Sequence, residues 1–224
     1  MCHTSLGKRK EGVRMKITKL VHSCLLVEMP NRTALFDPGV MSVVDVDSLK
    51  WLDDIFVTHN HSDHFNPDLI KKLRDKFPQV RITVPQDALD KLEKAGVTDV
   101  STSPPEGVRF FDAPHEVIRP WMPYDPPMEN GIHYLDQLSH PGDSHSFNET
   151  MPILALPVAA PWGSSVEAAE LGLRLAPKYI LPIHDWHWSD QAREQMYAGF
   201  EQMFSQHGIT FLKLENGVPV HIDL

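Results

Sequence analysis

An apolar run, Ile55-Phe56-Val57, breaks directly into Thr58-His59-Asn60-His61-Ser62-Asp63-His64. Three imidazoles and a carboxylate thus fall within six residues, and these are ligands that divalent transition metals prefer. Any fold that accepts this segment must carry it at the end of a strand and leave room for an ion beside it. Positions 59 and 61 share one face of an extended chain, so both rings can reach one ion. Asp63 and His64 lie past the bend and can reach a second. The segment reads as a metal site for two metals.

The rest of the chain narrows what that site can serve. Its 224 residues suit one large domain. A hydrophobic content of 42% is enough to build a core. The net charge of −9 argues against nucleic acid or an anionic membrane as the main partner. A small-molecule substrate is the expected partner, and a homo-oligomer is compatible. Two cysteines, Cys2 and Cys24, make no disulfide framework, so a reducing, cytoplasmic setting is expected. Lys8, Arg9, Lys10 and Arg14 are followed by no apolar run that could serve as a signal peptide, and no stretch approaches a membrane span. Residues 1–14 are expected to be a disordered or peripheral tail, and 15–224 a single domain.

Local patterns predict strands over 16–20, 24–27, 33–36, 53–57, 80–84, 108–111, 132–138, 153–156, 179–183, 209–212 and 218–222. Met29-Pro30-Asn31 reads as a turn. Asn66 caps a helix with Pro67 in its first turn and Leu69, Leu73 and Phe77 on one face. Further helices are expected over 86–95, from the capping box Ser164/Glu167 to Pro177, and over 190–204. The prolines at 120, 123, 126 and 127 make 120–128 a loop. Two β-rich halves, each followed by helices, fit two sheets covered by helices outside.

The His-x-His-x-Asp-His segment resembles the signature of the metallo-β-lactamase fold. That resemblance implies an α/β (α+β) chain in a four-layered αββα metallo-β-lactamase-type sandwich. The start Met15-Lys16-Ile17-Thr18-Lys19-Leu20-Val21-His22-Ser23-Cys24, with Leu35-Phe36-Asp37-Pro38-Gly39, is similar to small metal-dependent hydrolases of the ascorbate-6-phosphate lactonase-like branch. The resemblance runs from about Met15 to the C-terminus. It implies a third histidine for the first metal at His115, a carboxylate bridging both metals at Asp143 (in His140-Pro141-Gly142-Asp143), and a last ligand of the second metal at His184. Metal one would be held by His59, His61 and His115, and metal two by Asp63, His64 and His184. Gly142 would let the backbone turn so that Asp143 points inward. The hairpin expected before Asp143 is short here, with little chain between Asn130 and Pro141.

Two divalent ions bring four positive charges; Asp63, Asp143 and a bridging hydroxide remove three. A positive site remains, suited to an oxyanion or phosphate. Metal-bound hydroxide is available at neutral pH and would attack a carbonyl or phosphorus centre, with Asp63 as the catalytic residue that orients it or passes a proton. Asp37 is expected to accept a hydrogen bond from a ligand histidine. His22, His140, Trp121, Tyr124, Trp162 and Trp186 are candidates for supporting the ligands or lining the substrate. Cys24 reads as a small core residue. The expected function is dinuclear hydrolysis of a small, anionic metabolite such as a lactone or phosphoester. Zinc or manganese suits the donor set best, and iron is compatible. A nuclease or phosphodiesterase of the same fold is opposed by the charge. A non-hydrolytic iron redox enzyme is opposed by His61, where that branch of the fold is expected to carry glutamate.

Overall fold

The computed structural model describes residues 14–117 and 125–223. Thirteen strands and four α-helices are described, and the alternation of side chains along the strands sorts them into layers. In β2 (Leu25–Met29), Leu25 and Val27 face one way and Leu26 the other; in β3 (Arg32–Phe36), Ala34 and Phe36 oppose Leu35. The same split separates Ile153 and Ala155 from Leu154 and Leu156 in β10 (Ile153–Pro157), and Leu181 and Ile183 from Ile180 in β11 (Tyr179–Ile183). A strand apolar on both faces must be covered on both. The first set of each strand forms one central core between two sheets. The second sets pack outward, against α1 (Pro67–Lys76) and α2 (Leu89–Lys94) on one side and α3 (Ser165–Leu175) and α4 (Asp190–Ser205) on the other. The result is the αββα sandwich.

The seven-stranded sheet has the order β13-β1-β2-β3-β4-β5-β6, with β1 at Arg14–Lys19, β4 at Asp54–Phe56, β5 at Arg81–Thr83, β6 at Val100–Ser101 and β13 at Pro219–Asp223. The six-stranded sheet has the order β12-β11-β10-β9-β8-β7, with β7 at Val108–Phe111, β8 at Gly131–Tyr134, β9 at Leu138–His140 and β12 at Thr210–Phe211. Pairing fixes directions. β1 and β3 both run antiparallel to β2, and β4 runs parallel to β3. β7 and β9 both run antiparallel to β8, and β10 and β11 run parallel to β9. Hence β1, β3 and β4 share one direction, and β7, β9, β10 and β11 share another.

The elements depart from expectation in four places. The segment 132–138 is two strands: Leu135 and Asp136 adopt left-handed φ values of 51° and 54°, and the chain turns back as β9. The short hairpin before Asp143 is therefore intact but tight. The segment 86–95 starts with a 3₁₀ turn at Gln86–Ala88 before α2, because Pro85 at its head supplies no side-chain cap. β6 is two residues long and carries no periodic signal of its own. β1 begins at Arg14, which pairs with Asp223, two residues before the expected strand start at Lys16. Helix signals held: Asn66 Oδ1 accepts from Leu69 N, and Ser164 and Glu167 form a reciprocal capping box.

Candidate metal centre

Among the described residues, each metal-ligand candidate leaves the C-terminal end of a strand. His22 follows β1, Asp37 follows β3, and residues 59–64 follow β4. His115 follows β7, Asp143 follows β9, Trp162 follows β10, and His184 follows β11. Since these strands run in common directions within each sheet, their loops meet at one edge. The loop after β3 rides on the histidine segment itself: Val40 N donates to Ser62 O, and a Cβ on Gly39 would lie 1.8 Å from Asp63 O.

Two groups of donors result. The ligand atoms of His59, His61, His115 and Asp143 lie within 4.8 Å of one another, as do those of His22, Asp63, His64 and His184. Residues 58–64 form bends and turns rather than an extended run, so His59 and His61 converge through curvature and not by sharing a strand face. His61 Nδ1 is 3.2 Å from His115 Nε2. Two nitrogens bound at about 2.0–2.1 Å on one tetrahedral zinc would be separated by about 3.3 Å. Asp143 stands between the groups. Its Oδ1 is 3.0 Å from His64 Nε2 and 3.2 Å from His184 Nε2, while Oδ2 is 3.9 Å from His59 Nε2 and 3.8 Å from His115 Nε2.

The rings are held from behind. Asp37 is fully buried; its Oδ2 lies 2.8 Å from His64 Nδ1 and accepts from Thr58 Oγ1 at 2.8 Å, while Oδ1 accepts from Thr58 N. With its hydrogen given to Asp37, Thr58 Oγ1 accepts from His59 Nδ1 at 3.1 Å. One carboxylate thereby orients two imidazoles. His115 Nδ1 is held by Glu116 O and His184 Nδ1 by Ala159 O. These contacts put the proton on Nδ1 and leave Nε2 bare towards the centre. His59 Nε2, His64 Nε2, His184 Nε2 and Asp143 Oδ1 are all buried without a hydrogen-bond partner. Buried polar atoms rarely go unpaired, and four such atoms facing one another fit a cation. The donor set, imidazole and carboxylate without thiolate, fits divalent zinc, manganese or iron.

Charge balance points the same way. Burial depresses His59, His61 and His115, so these rings are neutral and free to ligate. Burial would also depress His64 and His184, but the Asp143 carboxylate outweighs it and raises both, with Asp37 adding to the effect at His64. Burial would raise Asp143, yet the facing His184 and His64 hold it well below the usual carboxylate range. The carboxylates draw positive charge onto whatever faces them. Asp63, likewise pushed up by burial, is held low by His22, and its side chain keeps 25% exposure, the most solvent-facing of the carboxylates here.

The supporting candidates divide. His22 goes further than lining the site: its Nε2 is 3.1 Å from Asp63 Oδ2 and it joins the second group, with burial holding its imidazole down at about 4. Trp162 does more than form a wall, since Nε1 donates to Asp143 Oδ2 at 3.0 Å. His140 is buried beneath the site, stacked on Phe36, with Nε2 on Ser23 O. Trp186 is 49% exposed and meets His22 edge-on at 6.3 Å. Trp121 and Tyr124 lie outside the described residues. Cys24 sits just before β2, fully packed, with burial pushing its thiol up to about 12.

Glu129 is a residue that sequence reasoning missed. Its buried Oε1 accepts from Asp143 N at 2.6 Å and lies 3.5 Å from His59 Nδ1. Burial, and then the Asp143 carboxylate, push it well above the ordinary glutamate value. Gly142, at φ 65°, is required for this contact: a Cβ there would lie 1.7 Å from Glu129 Oε1. Glu129 sits at the end of an irregular loop with no periodic neighbours, and only its adjacency to Asn130-Gly131 at the head of β8 marks it.

The sequence profile of the beta-lactamase superfamily domain matches residues 16–184. The chain belongs to this family. It is 32% identical over 201 residues to Protein Rv0786c of Mycobacterium tuberculosis, covering 84% of this chain and 92% of that protein. It is 30% identical over 193 residues to UPF0173 protein PF0020 of Pyrococcus furiosus, covering 81% and 88%. Among solved structures it is similar to Igni18, a metallo hydrolase from Ignicoccus hospitalis, with a TM-score of 0.70 and 18% identity over 94% of this chain and 99% of that one. Neither relative's name specifies a lactonase, and a likeness at 18% identity speaks for the fold. The metallo-β-lactamase fold expected from the His-x-His-x-Asp-His segment is thus the observed one.

Proposed function

We propose that this chain is a dinuclear metal-dependent hydrolase of a small, anionic metabolite with a carbonyl or phosphorus centre, such as a lactone or phosphoester. The observation that carries this reading is the Asp143 carboxylate set between two groups of imidazoles, of which His59, His64 and His184 turn buried Nε2 atoms without a hydrogen-bond partner towards the centre. His59, His61 and His115 would hold one ion; His64, His184 and Asp63, with His22 beside them, would hold the other. When bound, such ions lower the pKa of water to about 7 and polarise the oxygen of the scissile group. Asp63, partly open to solvent and held ionised by His22, receives and passes the proton. Asp37, Thr58 and Glu129 keep the imidazoles and Asp143 oriented, so no reorganisation is needed as charge develops. Trp162 shields one side of Asp143 from water.

The −9 charge weighs against a nuclease, and His61 against an iron redox enzyme. The lactonase-like branch is carried as part of this reading, supported by the Val21-His22-Ser23-Cys24 and Asp37-Pro38-Gly39 segments. Zinc or manganese, and a cytoplasmic setting, belong to the same proposal, the latter supported by a chain of only two cysteines, of which Cys24 is buried in the core. No helix among the described residues is long and apolar enough to cross a membrane. The test is metal analysis of protein purified without added metal, followed by assay of the loaded protein against lactones, phosphodiesters and amides. Two ions per chain and turnover in one class support the reading. A chain that retains no transition metal and gains no activity with any would end it.

A further inference from the structure

Lys19 ends β1, and its ammonium is buried to 1% exposure between the two sheets. It lies 3.0 Å from both Asp185 oxygens, 2.9 Å from Tyr197 Oη and 3.3 Å from Pro182 O. Tyr197 Oη also donates to Asp185, and Arg193 Nε stands 3.5 Å from the same carboxylate. One cation thus joins a strand of the seven-stranded sheet to the end of a strand of the six-stranded sheet and to α4. Stability is a weak reason for such a group. Desolvation offsets most of the attraction of a buried ion pair, and apolar replacements of similar volume are often neutral or stabilising.

What the cluster adjoins is more informative. Asp185 is the peptide neighbour of His184, and Lys19 stands three residues before His22. Both histidines have left-handed backbones, with φ 63° at His184, 57° at His22 and 73° at the intervening Val21. Non-glycine residues held there are strained and persist only where surroundings over-determine them. The His22 and His184 rings lie 4.2 Å apart. His59, His61 and His115 arise from other strands and owe nothing to this contact.

We infer that Lys19, Asp185 and Tyr197 form a positioning clamp for the second metal, setting the spacing of His22 and His184 and so the affinity of that site alone. This rests on the two-metal reading. The clamp works through the backbone: pulling the ends of β1 and β11 together holds both strained histidines in place before any ion arrives. Loosening it lets each relax towards ordinary backbone conformations and separates the donors.

Zinc titration by calorimetry, with metal analysis and the cobalt(II) absorption spectrum, tests this on full-length protein. The wild type should show two sites. Tyr197→Phe should weaken the second about tenfold, and the paired Lys19→Met/Asp185→Asn variant by about 10–100-fold, with the first site unchanged. Thermal unfolding of the metal-free proteins should be similar, since the pair is replaced and not orphaned. Equal second-site affinity in the paired variant, or equal weakening of both sites, would overturn the clamp while leaving the hydrolase reading intact. If the paired variant does not fold, Tyr197→Phe decides by the same readouts. A wild type holding fewer than two ions overturns the two-metal reading and the clamp with it.

Discussion

Asp37 shows how a single residue governs this centre. A buried carboxylate at φ 45° receives Thr58 N, Thr58 Oγ1 and His64 Nδ1, and reaches His59 through the threonine hydroxyl. Asp63, two residues past His61, is the carboxylate with access to solvent. Asp63→Asn keeps its shape but removes the charge, and turnover on an identified substrate should fall by about two orders of magnitude or more with the fold intact. Near-normal turnover in folded protein would remove Asp63 from the chemistry. Gly142→Ala meets two obstacles at once, a φ of 65° and a Cβ placed 1.7 Å from Glu129 Oε1 and 2.8 Å from Thr58 Oγ1. It should cost about 1–3 kcal/mol and displace Asp143, read as a lower melting temperature together with reduced metal content. Wild-type metal content in this variant would show that Glu129 does not fix Asp143.

At the scale of elements, α3 offers two substitutions with opposite signs. Ser164 Oγ accepts from Glu167 N, and the Glu167 carboxylate accepts from Ser164 N. Ser164→Ala should therefore destabilise by about 1 kcal/mol. At the other end Ala176 caps the helix at φ 47° and ψ 52°, where glycine is unstrained. Ala176→Gly should stabilise by up to about 1 kcal/mol, a rise of about 2–4 °C in melting temperature. Calorimetry of the two variants checks both signs. The capping box was legible in the sequence because its signal is local. The β8–β9 hairpin was not, since the turn at Leu135-Asp136 uses left-handed φ without glycine or asparagine, and an apolar 132–138 reads as one strand.

At the scale of the whole molecule, the centre joins the two sheets, so a metal bound there is linked to unfolding. Ligand at about 1,000 times its Kd adds about 4 kcal/mol to the folded state. Adding a chelator to loaded protein should lower the melting temperature by about 10 °C, and readdition of metal should restore it. An unchanged melting temperature would mean that the donors hold no tightly bound ion.

What the sequence determined by itself was whatever short-range order encodes: the His59–His64 segment, the period-2 strands, the caps of α1 and α3, and the glycine before Asp143. Those features name a metal-binding edge and a layered α/β fold because strand pattern and donor identity need only neighbouring residues. The tertiary structure alone decided which distant groups meet. His22 joined the second set of donors, Trp162 found the Asp143 carboxylate, and Glu129 and Lys19 took buried places that no local pattern marks. The physical reason is common to all four. A polar side chain acquires its role here from a partner at least 14 residues away, Glu129 on Asp143, and as far as 166, Lys19 on Asp185; that pairing exists only once both sheets are packed.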